Sequence, residues 1–120
     1  MKEDVAALVA FVSGRLITGT NATSIYDYES GRHHNISGTV SPTNVDVYSF
    51  DSGSHFGGSG YGGTLSLYHF GYGHHVSLKI TAQRFEGFDF GASNHFSGTV
   101  SGSGVSLFDY GVGSYRQYSI

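Results

Sequence analysis

Tyr26-Asp27-Tyr28-Glu29-Ser30-Gly31-Arg32-His33 is the stretch from which the rest of the chain can be read. It holds two aromatic residues two positions apart, a glycine five positions after the first ring, and a histidine two positions beyond that. The same order returns from Tyr48, Tyr68, Phe88 and Phe108, with Ser93 for the glycine in the fourth copy and Tyr115 for the histidine in the fifth, so successive copies start 22, 20, 20 and 20 residues apart. A period of about 20 residues is the size of one small supersecondary unit stacked against copies of itself. The chain is therefore read as five β-hairpin repeats.

Position 0 of each copy is Tyr26, Tyr48, Tyr68, Phe88 or Phe108, and position +2 is Tyr28, Phe50, Phe70, Phe90 or Tyr110. Residues two apart on a strand share a face, so each copy lays a pair of rings on one side of a sheet. Position +5 is Gly31, Gly53, Gly73 or Gly113, with Ser93 in the fourth copy. Glycine there supplies the positive φ of a tight hairpin connection. A three-residue loop (Ser30, Gly31, Arg32 in the first copy) sets Tyr28 opposite His34 and Glu29 opposite His33. This parity gathers the rings with His34, Phe56, Val76 and Phe96 into an aromatic core. It leaves His33, His55, His75, His95 and Tyr115 on a polar face. A four-residue loop would instead oppose the rings to His33 and its equivalents. Val45, Leu65, Phe85 and Val105 do not fit, because they lie at odd offsets from the rings. They call for a bulge, or for strands apolar on both faces and covered by the N-terminal helix or another subunit.

Two strands per copy give about ten short antiparallel strands in an all-β meander, expected to roll or close into a barrel because free edges invite aggregation. A β-solenoid of stacked hairpins is the alternative. Residues 1–17 read as one helix, rich in Ala, Leu and Val, with Glu3 and Asp4 in a first turn that favours acids. Gly14 marks its expected end. The helix is apolar nearly all round, which predicts burial by a neighbour, either packed on the barrel or used in assembly. Residues 18–23 form a linker and 24–120 the repeats of a single domain.

Composition narrows function. The 120 residues contain no cysteine, which removes disulfide frameworks, thiol catalysis and cysteine-bound metals. A formal charge of −3 offers no basic stripe for nucleic acid. The apolar run Ala6–Val12 is too short to span a bilayer, and its acidic flank is wrong for an export signal, so a cytoplasmic protein without a membrane partner is expected. The chain is glycine-rich, with 19 glycines, yet its 15% aromatic content provides apolar area for an ordered core.

His33, His55, His75 and His95 are equivalent by repeat and are the candidate metal ligands, since histidine is the commonest metal ligand. In a meander they stand about 9.6 Å apart, two strand spacings, too far to share an ion held at about 2 Å. Ser, His and acidic residues are plentiful, but they recur with the repeat and form no single catalytic set. No cofactor is implied. For a small ligand or a sugar, the rings and polar groups left accessible are Arg32, Tyr72, His74, Asn94 and Tyr115.

Tyr26-Asp27-Tyr28-Glu29-Ser30-Gly31-Arg32 resembles the YD repeat of Rhs and teneurin-type shells. Phe108-Asp109-Tyr110 and Phe88-Asp89-Phe90 keep part of the pattern, while Tyr48-Ser49-Phe50 and Tyr68-His69-Phe70 lose its acid. The resemblance implies spiralling β-sheet with a structural role. The expected function is a non-enzymatic structural or protein-interaction module, self-associating as a homo-oligomer through the helix and the doubly apolar strands. The alternative is a module that binds a small ligand or carbohydrate.

Overall fold

Ten strands follow a single N-terminal helix in the computed structural model, which describes residues 1–120. The helix α1 spans Glu3–Thr18. The strands are β1 (Ser24–Asp27), β2 (Arg32–Val40), β3 (Asn44–Ser49), β4 (Ser54–Tyr61), β5 (Thr64–His69), β6 (His74–Thr81), β7 (Arg84–Asp89), β8 (Asn94–Ser101), β9 (Gly104–Asp109) and β10 (Ser114–Ser119). Each pairs antiparallel with its sequence neighbours, and β1 pairs with β10, so the meander closes into a barrel. Closure leaves no free edge. It also excludes the solenoid and the spiralling sheet that the repeat resemblance implies.

The hairpins that carry the repeat motif have four-residue loops. Asp27 pairs with Arg32, Ser49 with Ser54, His69 with His74, Asp89 with Asn94 and Asp109 with Ser114. Position +5 is left-handed in every copy, at Gly31, Gly53, Gly73 and Gly113 and at Ser93 (φ +55°). The expected three-residue loop is one residue too short, and in a structure of period two that turns the ring-bearing strand of each hairpin over, while His34, Ile36, Phe56, Val76 and Phe96 stay inside as expected. Tyr26 lies opposite His33, and the ten motif rings point outward. Inside stand the odd-offset residues Ile25, Val45, Val47, Leu65, Leu67, Phe85, Val105 and Leu107, together with Ile36, Phe56, Val76 and Phe96 on the even-numbered strands, Phe56 opposite Val47 and Val76 opposite Leu67. No parity switch occurs, because the residues at odd offsets from the rings are the interior set. The aromatic core is accordingly different from the one expected: its rings are Phe11, Phe56, Phe85, Phe96 and Tyr118.

The helix is the second half of that core. Val5 to Val12 are 0% exposed without interruption, and α1 meets β1, β2, β3, β6, β8 and β9, so it runs inside the barrel. Eight strands enclose only enough room for side chains, whereas ten leave width for more. A helix apolar on every side fills that width. Leu8 and Phe11 each contribute about 1.5–3 kcal/mol by leaving water. This corrects the expectation of a helix packed on the barrel or free for assembly. Gly14 does not end it, for a side chain there would meet Ile120 and Val105, with the Ile120 Cδ1 atom 2.8 Å from a Cβ. The end comes at Gly19, which adopts φ +74° and donates its N–H to the Arg15 carbonyl at 2.9 Å.

Candidate functional site

Two regions carry chemistry: the rim at the hairpin end, where α1 begins, and the outer wall below it. Position +1 of each repeat, between the two outward rings, points inward at the rim. Its occupants are Asp27, Ser49, His69, Asp89 and Asp109, all at most 1% exposed. They differ in chemistry yet share one task, since each accepts a backbone N–H from its own loop. Asp27 Oδ1 takes Glu29 N–H at 2.9 Å, Asp89 Oδ1 takes Gly91 N–H at 2.9 Å, and Asp109 Oδ1 takes Gly111 N–H at 2.9 Å. His69 Nδ1 takes Tyr72 N–H at 3.1 Å, and Ser49 Oγ takes Ser52 N–H at 3.5 Å. These side chains close their turns in the manner of Asx turns.

Their remaining atoms tie the ring to the helix and to neighbouring hairpins. Asp4, on the first turn of α1, accepts from Ser49 Oγ and from His69 Nε2, the latter at 2.8 Å. His69 is therefore the Nε2–H tautomer, with Nδ1 free to accept. His34 is 1% exposed and lies between Asp27 (Nε2 to Oδ2, 3.0 Å) and Asp51, which faces Nδ1. Carboxylates only accept, so this geometry is satisfied with a hydrogen on each ring nitrogen. Arg32 closes the cluster, reaching Glu3 at 2.9 Å and Asp51 at 3.1 Å.

Charge pairing moves the acids. Burial raises the pKa of Asp27, but hydrogen bonds from His34 and from the loop at Ser30 and Glu29 outweigh it and hold the carboxyl below its ordinary value. Burial likewise opposes, and Arg32 and His34 overcome, in lowering Asp51. Arg32 is raised in turn by its hydrogen bond and charge contact with Asp51, and then by Glu3.

Glu3, Asp27 and His34 have ligand-type atoms within 4.8 Å of one another. The Arg32 guanidinium is bound to the same Glu3 and already supplies a positive charge there, so the group closes as an ion-pair cluster. The four histidines expected as metal ligands are not gathered. His33, His55, His75 and His95 stand on separate pairs of outer strands, each edge to face with the ring opposite at 4.7–5.0 Å. The acid partners expected opposite them are absent from that register, because Tyr26 and Tyr48 hold those places. His55 instead lies 3.7 Å from Asp46 on the exposed wall.

Of the residues expected to meet a ligand, four lie at the rim. Tyr72 stacks on His69 at 4.1 Å, with Lys2 Nζ 4.9 Å from its ring, and His74 lies parallel to it at 6.1 Å. Arg32 is engaged in the first-repeat cluster, and Asn94 donates to the Ala92 carbonyl at 2.9 Å. The rim therefore joins Tyr72 with His74 and keeps Arg32 and Asn94 apart from them. Tyr115 is on the outer wall, 63% exposed.

The outer wall carries five clusters of three rings. Tyr26, Tyr28 and His33 form the first, and Phe108, Tyr110 and Tyr115 form the last. In each the position +2 ring meets the position 0 ring edge to face at 4.8–5.1 Å. Such contacts contribute about 0.5–1.5 kcal/mol each beyond burial. The position +2 rings nevertheless stay 55–65% exposed, a belt around the barrel at one level. Reading the rings as core missed this belt, and the mostly aliphatic odd-offset residues, with Phe85 their one ring, were the signal that could have revealed it.

No helix is long and apolar enough to cross a membrane. Comparison with family models, with curated proteins and with solved structures returns no match.

Proposed function

We propose that the chain is a non-enzymatic interaction module that works through its outer wall and associates with further copies of itself there. The observation that carries this reading is the belt of Tyr28, Phe50, Phe70, Phe90 and Tyr110, each more than half exposed. At about 200 Å² per ring, these five leave roughly 600 Å² of aromatic surface in water. The rings are spaced around the barrel, so one partner covers neighbouring members of the belt, which supply part of the about 800 Å² per partner that a stable dimer buries. The repeat also gives every copy the same ring spacing, which suits a self-complementary interface. The helix has no part in it, since its apolar residues are consumed inside the barrel.

A rigid scaffold rather than a catalyst is supported by the engagement of the buried polar groups. The acids and histidines of the rim each close a turn or hold a charge partner, and the barrel interior is filled by side chains of α1. The test is the solution mass. Light scattering on the wild type is expected above 12.8 kDa, falling toward the single-chain value for Phe50→Ser combined with Phe70→Ser. A wild type already at the single-chain mass contradicts self-association.

A further inference from the structure

Two open depressions of about 440 and 350 Å³ adjoin on the outer wall between β5 and β10, sharing Lys79, Glu86 and Ser97. We infer that together they form a binding groove for an anion-bearing saccharide, a uronate or a sulfated sugar. The inference goes beyond the self-association reading and shares only Tyr110 with it.

Charge comes first. The chain has six Lys and Arg side chains. Arg32 and Arg116 are paired with acids, Arg15 donates to the Thr20 and Gly38 carbonyls, and Lys2 lies over Tyr72. Lys79 and Arg84 have neither an acid within 4.0 Å nor a hydrogen-bond acceptor, and both line the groove. They lie on adjacent strands, with Lys79 opposite Glu86 and Arg84 opposite Thr81. Two unengaged cations in one depression suit a single carboxylate or sulfate, and Arg84 can meet it with two parallel N–H donors.

The rest of the lining suits a sugar ring. Ser97, Thr99 and Ser106 present hydroxyls along the wall, with Thr99 directly opposite Ser106. Glu86 is an acceptor for sugar hydroxyls, and it argues against a nucleic-acid phosphate backbone, which rewards cations alone. Tyr115 at one depression and Tyr110 with Phe88 at the other supply flat apolar faces at the upper edge. A pyranose needs this combination: an apolar platform for its C–H face, with donors and acceptors around its equator. Both volumes lie in the range of small-ligand sites.

Calorimetric titration with a galacturonate tetrasaccharide, its methyl ester and a sulfated disaccharide tests the inference and separates the two anion sources. At least one acidic sugar is expected to bind, with affinity reduced tenfold or more in Lys79→Gln and Arg84→Gln and weakened by added salt. The methyl ester is expected to bind more weakly than the acid and to respond to neither substitution. Tyr115→Ala is expected to weaken every sugar that binds. Both charge variants are on the surface, so an unchanged melting temperature certifies the fold. Absence of binding by all three sugars, or binding that the two charge variants leave unaltered, overturns the groove. Either result leaves the light-scattering test of self-association unaffected.

Discussion

Asp4 on the internal helix and His69 on β5 meet at 2.8 Å, 65 residues apart in sequence, where the helix enters the barrel. The same carboxylate accepts the Ser49 hydroxyl from β3. One side chain of α1 thus fixes the helix against two repeats and sets its depth and rotation in the barrel. Asp4→Ala leaves a buried imidazole N–H and a buried hydroxyl without acceptors, each costing about 1–3 kcal/mol. We predict a loss of about 3 kcal/mol in denaturant unfolding. His69→Ala made in the Asp4→Ala background should cost clearly less than the same change in the wild type, because the lost partner is shared. Strict additivity would contradict the coupling.

Ser93 occupies the one position +5 that lacks glycine, with φ +55°. Left-handed backbone costs a side-chain-bearing residue about 1–2 kcal/mol. Ser93→Gly should therefore raise stability by about 1 kcal/mol, reduced by the added freedom of the unfolded chain. Gly73→Ser, the reverse change in the preceding repeat at φ +72°, should lower it by a similar amount. Equal melting temperatures for wild type and both variants would contradict the assigned turn.

Much of the architecture was legible from the spacing alone. The 20-residue period set the number of hairpins, position +5 located the turns, and the all-round apolar character of residues 5–12 foretold complete burial. What failed was a single residue of loop length. The aromatic pairs and the aliphatic residues beside them are both apolar, so hydrophobicity could not choose between the two faces, and the register rested on the loop. The turn contained the missing signal: Asp27, Asp89 and Asp109 directly precede their loops, where a short acceptor side chain ties the N–H two residues on and holds a four-residue loop. The helix location was not legible, because the lumen that receives it exists only after ten strands close. The groove at Lys79 and Arg84 lies outside the motif, where repeat analysis gives no weight to a residue that occurs once.

Acid should loosen the junction of the first two repeats before the rest. Asp27 and Asp51 are held below the ordinary carboxylate value of 3.8 by His34, Arg32 and loop N–H groups, against the opposing effect of burial. A carboxyl with a lowered folded-state pKa stabilises fully above its unfolded value, and that contribution is lost as pH falls through the folded value. The contribution of these two carboxylates to stability should thus be constant above about pH 5 and lost as the pH falls below about 4, a loss read in the melting temperature. His34→Gln should flatten this acid slope while lowering stability at neutral pH. An unchanged slope in that variant would contradict the pairing.

The helix fills the barrel, and this is what leaves only the outer wall for function. Amide hydrogen exchange measures it directly. Amides of Leu8 to Val12 should exchange only through global unfolding, with the same opening free energy as Leu67 and Val76 in the barrel wall. Helix amides that exchange freely while the strand amides stay protected would place α1 outside the barrel and contradict the account.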